Sequence, residues 1–233
     1  MLFIRKAYTF VYYRFKWIYM NGVRAALFDL DGVLIDTEPL YDKFWIEKKK
    51  EYGIEDERFP GILKGVPMFT ILERYFSRYG KAVEDKVLAD SIAYENRMDF
   101  PMINGAVDFL KLLRKHNIKT GLVTSSDDKK LQLVMAKTPL EGMFDTIVTA
   151  DRITEGKPAP MCYLLAAEDL QVLPEQCLVF EDSFSGIASG NNAGMRVIGL
   201  STTNPEEEIK DSVYRVIPDF SGVTFEKYRE WSL

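Results

Sequence analysis

The chain has 233 residues, 47% of them apolar and 28% charged, which excludes a disordered or fibrous protein and fits one large domain or one carrying an insertion. Thirty Lys and Arg against 35 Asp and Glu leave a net charge of −5, so no nucleic-acid partner is expected, and an anionic substrate needs a local positive centre. A single histidine, His116, excludes multi-histidine zinc sites, and two cysteines, Cys162 and Cys177, cannot form a disulfide scaffold; free thiols fit a reducing compartment, and the expected location is cytoplasmic.

Residues 1–20 differ from the rest. They hold eight aromatics and the cations Arg5, Lys6, Arg14 and Lys16 with no acid, leaving 26 cations against 35 acids in the remaining chain. Arg14 and Lys16 interrupt the apolar run and no small-residue cleavage site follows, so neither a secretion signal nor a membrane span is expected. A basic aromatic segment can lie on an anionic lipid surface. The expectation is instead an N-terminal basic aromatic extension over residues 1–20, with no membrane partner.

From Val23 to Leu30 an apolar run predicts a buried strand that ends in the turn Asp31-Gly32. Its period of two would point Asp29 and Asp31 the same way while the strand lasts. The stretch 37–99 reads as helical. Within it Met68, Ile71, Leu72, Tyr75, Phe76 and Tyr79 line one face of a helix that Gly80 stops, and Lys48, Lys49 and Lys50 read as a solvated face. After Pro101 and Gly105, a helix over 106–115 is followed by strands at 118–124, 146–149, 177–181, 196–200 and 213–217. Apolar strands separated by helices require crossovers, so the class is α/β: a Rossmann-like parallel sheet covered on both faces. The domains expected are a core of residues 21–36 and 100–233 and an all-helical cap, residues 37–99, inserted after the first strand. Such a cap is placed to act as a lid over the sheet's carboxyl edge, where open α/β sheets bind ligands.

Four polar clusters fall at predicted strand ends. The first is Asp29 and Asp31 before Gly32. The second is Thr124-Ser125-Ser126, whose hydroxyls and backbone N–H groups suit phosphate oxygens. The third is Lys157 in Gly156-Lys157-Pro158, and the fourth is Glu181-Asp182-Ser183 ahead of Gly186. Each alone has a plain explanation as a turn, a helix cap or a solvated charge. Together, and in this order, they supply what phosphoryl transfer needs: an oxygen nucleophile, oxygen ligands for Mg²⁺, a cation and N–H donors. Asp127 and Asp128 read as the start of a capped helix, and His116 as a structural residue at a helix end.

The stretches Phe28-Asp29-Leu30-Asp31-Gly32-Val33-Leu34-Ile35-Asp36-Thr37-Glu38, Thr124-Ser125-Ser126, Gly156-Lys157-Pro158-Ala159-Pro160 and Glu181-Asp182-Ser183-Phe184-Ser185-Gly186 resemble the motifs of the haloacid dehalogenase superfamily. The likeness covers about residues 23–202 and is strongest to its small phosphatases and beta-phosphoglucomutase, in which a helical cap follows the first strand. It implies Asp29 as the nucleophile that becomes an aspartyl-phosphate and Asp31 as the acid and base. It implies Thr124, the Ser125 N–H and Lys157 as the phosphoryl-binding groups. Mg²⁺ would be held by the Asp29 carboxylate, the Asp31 backbone carbonyl and Asp182, with Glu181 beside or behind them. Two close carboxylates titrate apart, and the expectation is that Asp31 carries the proton.

Within the cap, Lys64 stands where the family's substrate-contacting loop belongs. Tyr41 and Met68 occupy the places of a histidine and an arginine that beta-phosphoglucomutase uses, which argues against a mutase that must hold a bisphosphate while it reorients. Tyr41, Trp45, Lys64 and Met68 are the candidate specificity surface, with a hydrophobic cap core as the other explanation. The expectation is a Mg²⁺-dependent phosphatase of a small phosphorylated metabolite, a sugar phosphate, acting as a monomer. The alternatives are a phosphosugar mutase of the beta-phosphoglucomutase type and a non-catalytic regulator docked on a membrane.

Overall fold

The computed structural model describes residues 22–63, 66 and 68–232; the basic aromatic extension and Lys64 lie outside the described residues. Strand β1 (Ala25–Phe28) is followed by helices α1 (Glu38–Glu51), α2 (Met68–Ile71), α3 (Lys81–Glu95) and α4 (Ala106–Lys115). Alternation then runs β2 (Lys119–Val123), α5 (Asp128–Lys137), β3 (Thr146–Val148), α6 (Met161–Asp169), β4 (Cys177–Glu181), α7 (Phe184–Asn192), β5 (Arg196–Leu200), α8 (Glu206–Ile209), β6 (Arg215–Ile217) and α9 (Phe225–Trp231). The strands form one parallel sheet in the order β3-β2-β1-β4-β5-β6. The chain leaves β1 toward β2 and β3 and later returns on its other side as β4. That reversal opens a crevice at the carboxyl ends of β1, β2 and β4.

Both faces are covered because successive strand residues are apolar and point to opposite sides. Ala26, Phe28, Leu178, Phe180 and Ile198 meet Phe109, Leu110 and Leu113 of α4, Val134 of α5 and Trp231 of α9. Their strand neighbours Ala25, Leu27, Cys177, Val179 and Val197 meet Cys162, Tyr163 and Ala166 of α6 and Ile187 of α7. Phe28 and Phe180 are register partners, and their rings stack at 4.8 Å. His116 caps α4 and stacks on Phe225 with ring centroids 3.6 Å apart, a structural role as expected.

The helices between β1 and β2 pack round an aromatic core of their own, built from Phe44, Trp45, Phe59, Leu63, Ile71, Phe76 and Val87. The segment Met68–Tyr79 is not the single regular helix the spacing predicts. After α2 it opens into a wide π turn over Leu72–Phe76 and closes with a tight turn over Ser77–Tyr79. The wide turn brings both Tyr75 and Phe76 onto Phe59, with centroids at 5.2 and 6.4 Å, so ring packing overrides helical periodicity. Lys48 also departs from the solvated face expected of it: it is buried, pairs with Glu51 at 2.6 Å and with Asp90 of α3, and its Nζ lies 5.5 Å from the centroid of the Phe44 ring. The outgoing and returning crossings between sheet and helical layer pair with each other, Asp36 N donating to Pro101 O at 2.8 Å and Ile103 N to Leu34 O at 2.9 Å. Among the described residues, no helix is long and apolar enough to cross a membrane.

Candidate active site

β1 stops at Phe28, one residue before the first carboxylate. Asp29 still extends the ladder, its N–H donating to Phe180 O at 3.1 Å. The chain then turns, with Leu34 N and Ile35 N donating to Leu30 O. The strand period therefore ends before the two carboxylates, and Asp29 and Asp31 have separate sets of partners.

Asp29 faces Lys157. The Lys157 ammonium donates to Asp29 Oδ1 at 2.5 Å, to Glu181 Oε1 at 2.6 Å and to Val123 O at 3.2 Å. Glu181 is fully buried and saturated: besides Lys157 it accepts from the Tyr163 hydroxyl at 2.9 Å, the Asp182 N–H at 3.1 Å, the Ser183 N–H at 3.3 Å and the Ser183 hydroxyl at 3.2 Å. Two glycines make this packing possible. A Cβ on Gly186 would lie 1.8 Å from Glu181 Oε1, and one on Gly32 would lie 1.9 Å from Asp182 Oδ2. Gly32 also needs its φ of +77° to complete the turn after Asp31.

Asp29, Glu181 and Asp182 bring carboxylate oxygens within 4.8 Å of one another, all three buried. Among the described residues, one ammonium, that of Lys157, pairs with this group of three carboxyls. Burial, followed by the opposing pull of Lys157 and the push of Glu181, raises the Asp29 pKa from 3.8 to about 7. Burial and the charges of Glu181 and Asp29 hold Asp182 well above the ordinary carboxylate range. A buried all-oxygen cluster short of positive charge is what a hard divalent cation fits.

Asp31 is gripped elsewhere. Its Oδ1 accepts from the Thr37 hydroxyl at 2.6 Å and from Lys130 at 2.9 Å, and its Oδ2 from Lys130 at 2.9 Å and the Ser126 hydroxyl at 3.2 Å. Burial opposes its charge, but the Lys130 ammonium and these hydrogen bonds outweigh burial, so the Asp31 pKa is lowered. Without a cation, burial thus raises the proton affinity of Asp29, while Lys130 and the hydrogen bonds lower that of Asp31. A cation among Asp29, Glu181 and Asp182 would pull the Asp29 value back down.

Thr124 is buried at the end of β2 and Ser125 is exposed beside it. Two of the amides there are occupied, Thr124 N by Val148 O at 2.9 Å and Ser126 N by Thr124 Oγ1 at 3.0 Å. Asp127 caps α5 by accepting from Lys130 N, as expected. In the helical layer, Trp45 is 4% exposed within the aromatic core, which corrects its placement on a specificity surface. Met68 packs against the same core. Tyr41 stands at the boundary between layers, its hydroxyl donating to Glu95 at 2.6 Å and its ring beneath Lys130. Lys130, Thr37 and Tyr163 are the partners that motif spacing did not single out. A helix-start lysine and a mid-helix tyrosine carry no local signal of a contact with residues far away in the chain.

Comparisons with known proteins bear on the family and the fold. The model of the family described as haloacid dehalogenase-like hydrolase matches residues 26–200. A phosphorylated carbohydrates phosphatase of Thermotoga maritima is 33% identical over 193 residues, covering 76% of this chain and 85% of the relative. Hexitol phosphatase A of Escherichia coli is 30% identical over 182 residues, covering 76% and 83%. Among solved structures, a beta-phosphoglucomutase from Clostridium difficile superimposes with a TM-score of 0.74 at 26% identity, covering 90% of this chain and 97% of that one.

Proposed function

The chain belongs to the haloacid dehalogenase-like hydrolases, and we propose that it is a Mg²⁺-dependent phosphatase that hydrolyses a small phosphorylated sugar through an aspartyl-phosphate on Asp29. The observation that carries this reading is the meeting of Asp29, Lys157, Glu181 and Asp182 at the carboxyl edge of the sheet beside Thr124 and Ser125. The relatives named as carbohydrate and hexitol phosphatases support the substrate class.

A carboxylate oxygen of Asp29 attacks phosphorus, the bond from phosphorus to the sugar oxygen breaks, and Asp31, which must hold a proton against the pull of Lys130 once substrate is bound, gives that proton to the sugar oxygen. Water then attacks the phosphorus of the acyl phosphate, Asp31 takes the water's proton, and Asp29 and inorganic phosphate are regenerated. Lys157 and the Thr124 and Ser125 donors hold the phosphoryl oxygens, and Glu181 fixes the position of Lys157. Magnesium, held by the Asp29 carboxylate, the Asp31 backbone carbonyl and Asp182 with Glu181 behind them, would neutralise the repulsion between the nucleophile and those oxygens. The helices over 37–99 act as the cap, with Lys64, Tyr41 and Met68 as its candidate substrate-facing residues.

The test is phosphate release with and without Mg²⁺ across sugar phosphates, nucleotides and small organic phosphates, with glucose 6-phosphate formation from beta-glucose 1-phosphate followed in parallel. Mg²⁺-dependent release that Asp29→Asn abolishes is the expected result; an Asp29→Asn protein that keeps most of its activity refutes the nucleophile. The structural likeness to a beta-phosphoglucomutase favours one second reading, a phosphosugar mutase. It would be established by isomerisation without net release. Tyr41, whose hydroxyl is committed to Glu95, offers no cation for a second phosphate.

A further inference from the structure

Asp31 is held by more donors than an acid and base needs. A carboxylate has about four lone-pair directions, and here Thr37, Ser126 and the two contacts from Lys130 fill them. Among the described residues, Lys130 is the one donor that touches both oxygens, and it lies 99 residues from Asp31 in the chain. Its ammonium also sits 5.2 Å from the centroid of the Tyr41 ring, within cation–π range. Tyr41 in turn donates to Glu95, the last residue of α3. The chain of contacts Asp31, Lys130, Tyr41, Glu95 thus runs from the sheet's carboxyl edge to the first and last helices of that layer. Seven residues along α5, Lys137 donates to the carbonyls of Asn96 and Met98, both at 2.8 Å, where the chain returns to the sheet. One core helix therefore touches the helical layer at both of its crossings.

We propose that Lys130 is a positioning residue that holds the Asp31 carboxylate in plane for proton transfer and ties that position to the seating of the helical layer through Tyr41. The leaving oxygen can meet Asp31 only by displacing a donor. The Ser126 hydroxyl, at 3.2 Å, is the longest contact and the one that yields, while Lys130 keeps hold of both oxygens. Without Lys130 the carboxylate rotates about its remaining hydroxyl partners.

This inference rests on the reading of Asp31 as acid and base, and the experiment separates the two. In a mechanism with a covalent intermediate, kcat/KM reports only the steps up to departure of the leaving group. Phenyl phosphate, whose leaving oxygen needs a proton, is compared with p-nitrophenyl phosphate, which needs one much less. Lys130→Met is expected to lower kcat/KM for phenyl phosphate about 10- to 100-fold and to lower it far less for p-nitrophenyl phosphate, with Lys130→Arg recovering most of the loss. Equal losses on both substrates, or none on either, overturn the proposal. If Asp31→Asn leaves the ratio of the two substrates unchanged, the acid assignment itself fails; if Asp31→Asn moves the ratio and Lys130→Met does not, only the role of Lys130 fails. Should Lys130→Met not fold, Tyr41→Leu removes the ring beneath the ammonium, and a ratio that stays at the parent value overturns the proposal.

Discussion

At the scale of single residues, the site depends on how closely backbone and carboxylate approach. Glu181 is a fully buried anion whose oxygens are all committed, to one ammonium, two hydroxyls and two backbone amides. Removing any partner of such a group leaves charge unpaired in a place where water cannot compensate. Gly186 is what lets the turn after β4 lie against it. Gly186→Ala would drive a methyl to 1.8 Å from Glu181 Oε1, so the carboxylate must shift and its grip on Lys157 must change. The expected cost is about 1–3 kcal/mol of stability, read as a lower denaturation midpoint, together with a fall in kcat. A variant with parent stability and parent kcat would show that the turn has slack that this geometry denies it.

At the scale of elements, what could be read locally and what could not divide cleanly. The strands were legible because parallel strands covered on both faces are short apolar runs: those expected at 177–181 and 196–200 coincide with β4 and β5. β1 is shorter than its apolar run, because the turn at Gly32 draws the chain away once Asp29 has made its last ladder bond. The face from Met68 to Tyr79 was legible and its regularity was not, since the wide turn answers to Phe59, which no period along the segment encodes. Lys48 reads as solvated until α3 places Asp90 beside it, 42 residues on. Phe76 is the keystone of that helical layer, fully buried and in ring contact with Trp45, Tyr52 and Phe59. Phe76→Ala is expected to cost about 3–5 kcal/mol. Because the helical layer has a core distinct from those on the two faces of the sheet, the loss should appear first as weaker near-ultraviolet circular dichroism from Trp45 and its neighbours, with far-ultraviolet signal from the sheet retained. Loss of both signals in one step would show that helical layer and sheet unfold as a unit.

At the scale of the whole molecule, the motifs were legible as chemistry because three of them follow strands whose ends the sheet order brings together, while Lys157, nine residues beyond β3, reaches the same place through its loop. The partners of Asp31 were not, since Lys130 reaches it only after β2 and α5 have been placed. The same assembly links folding to protons and to a cation. Asp29 is raised from 3.8 to about 7, first by burial, against the pull of Lys157 and with the push of Glu181. Between those two values the metal-free folded protein holds a proton that the unfolded chain has released, so its stability falls as pH rises through that window and levels off above it. Asp182, raised for the same reasons, acts in the same direction. The Asp29 contribution is at most about 4 kcal/mol, from the size of the shift. Asp29→Asn removes that contribution, so in a chelator the variant's thermal midpoint should gain on the parent's from about pH 4 to about pH 7 and keep its margin beyond. Adding Mg²⁺ should raise the parent's midpoint, most strongly where Asp29 would otherwise lose its proton, and should raise that of Asp29→Asn much less. Parallel pH profiles for the two proteins in chelator would mean that Asp29 is ionised throughout and that Lys157 alone balances it; equal gains with Mg²⁺ would place the cation away from Asp29.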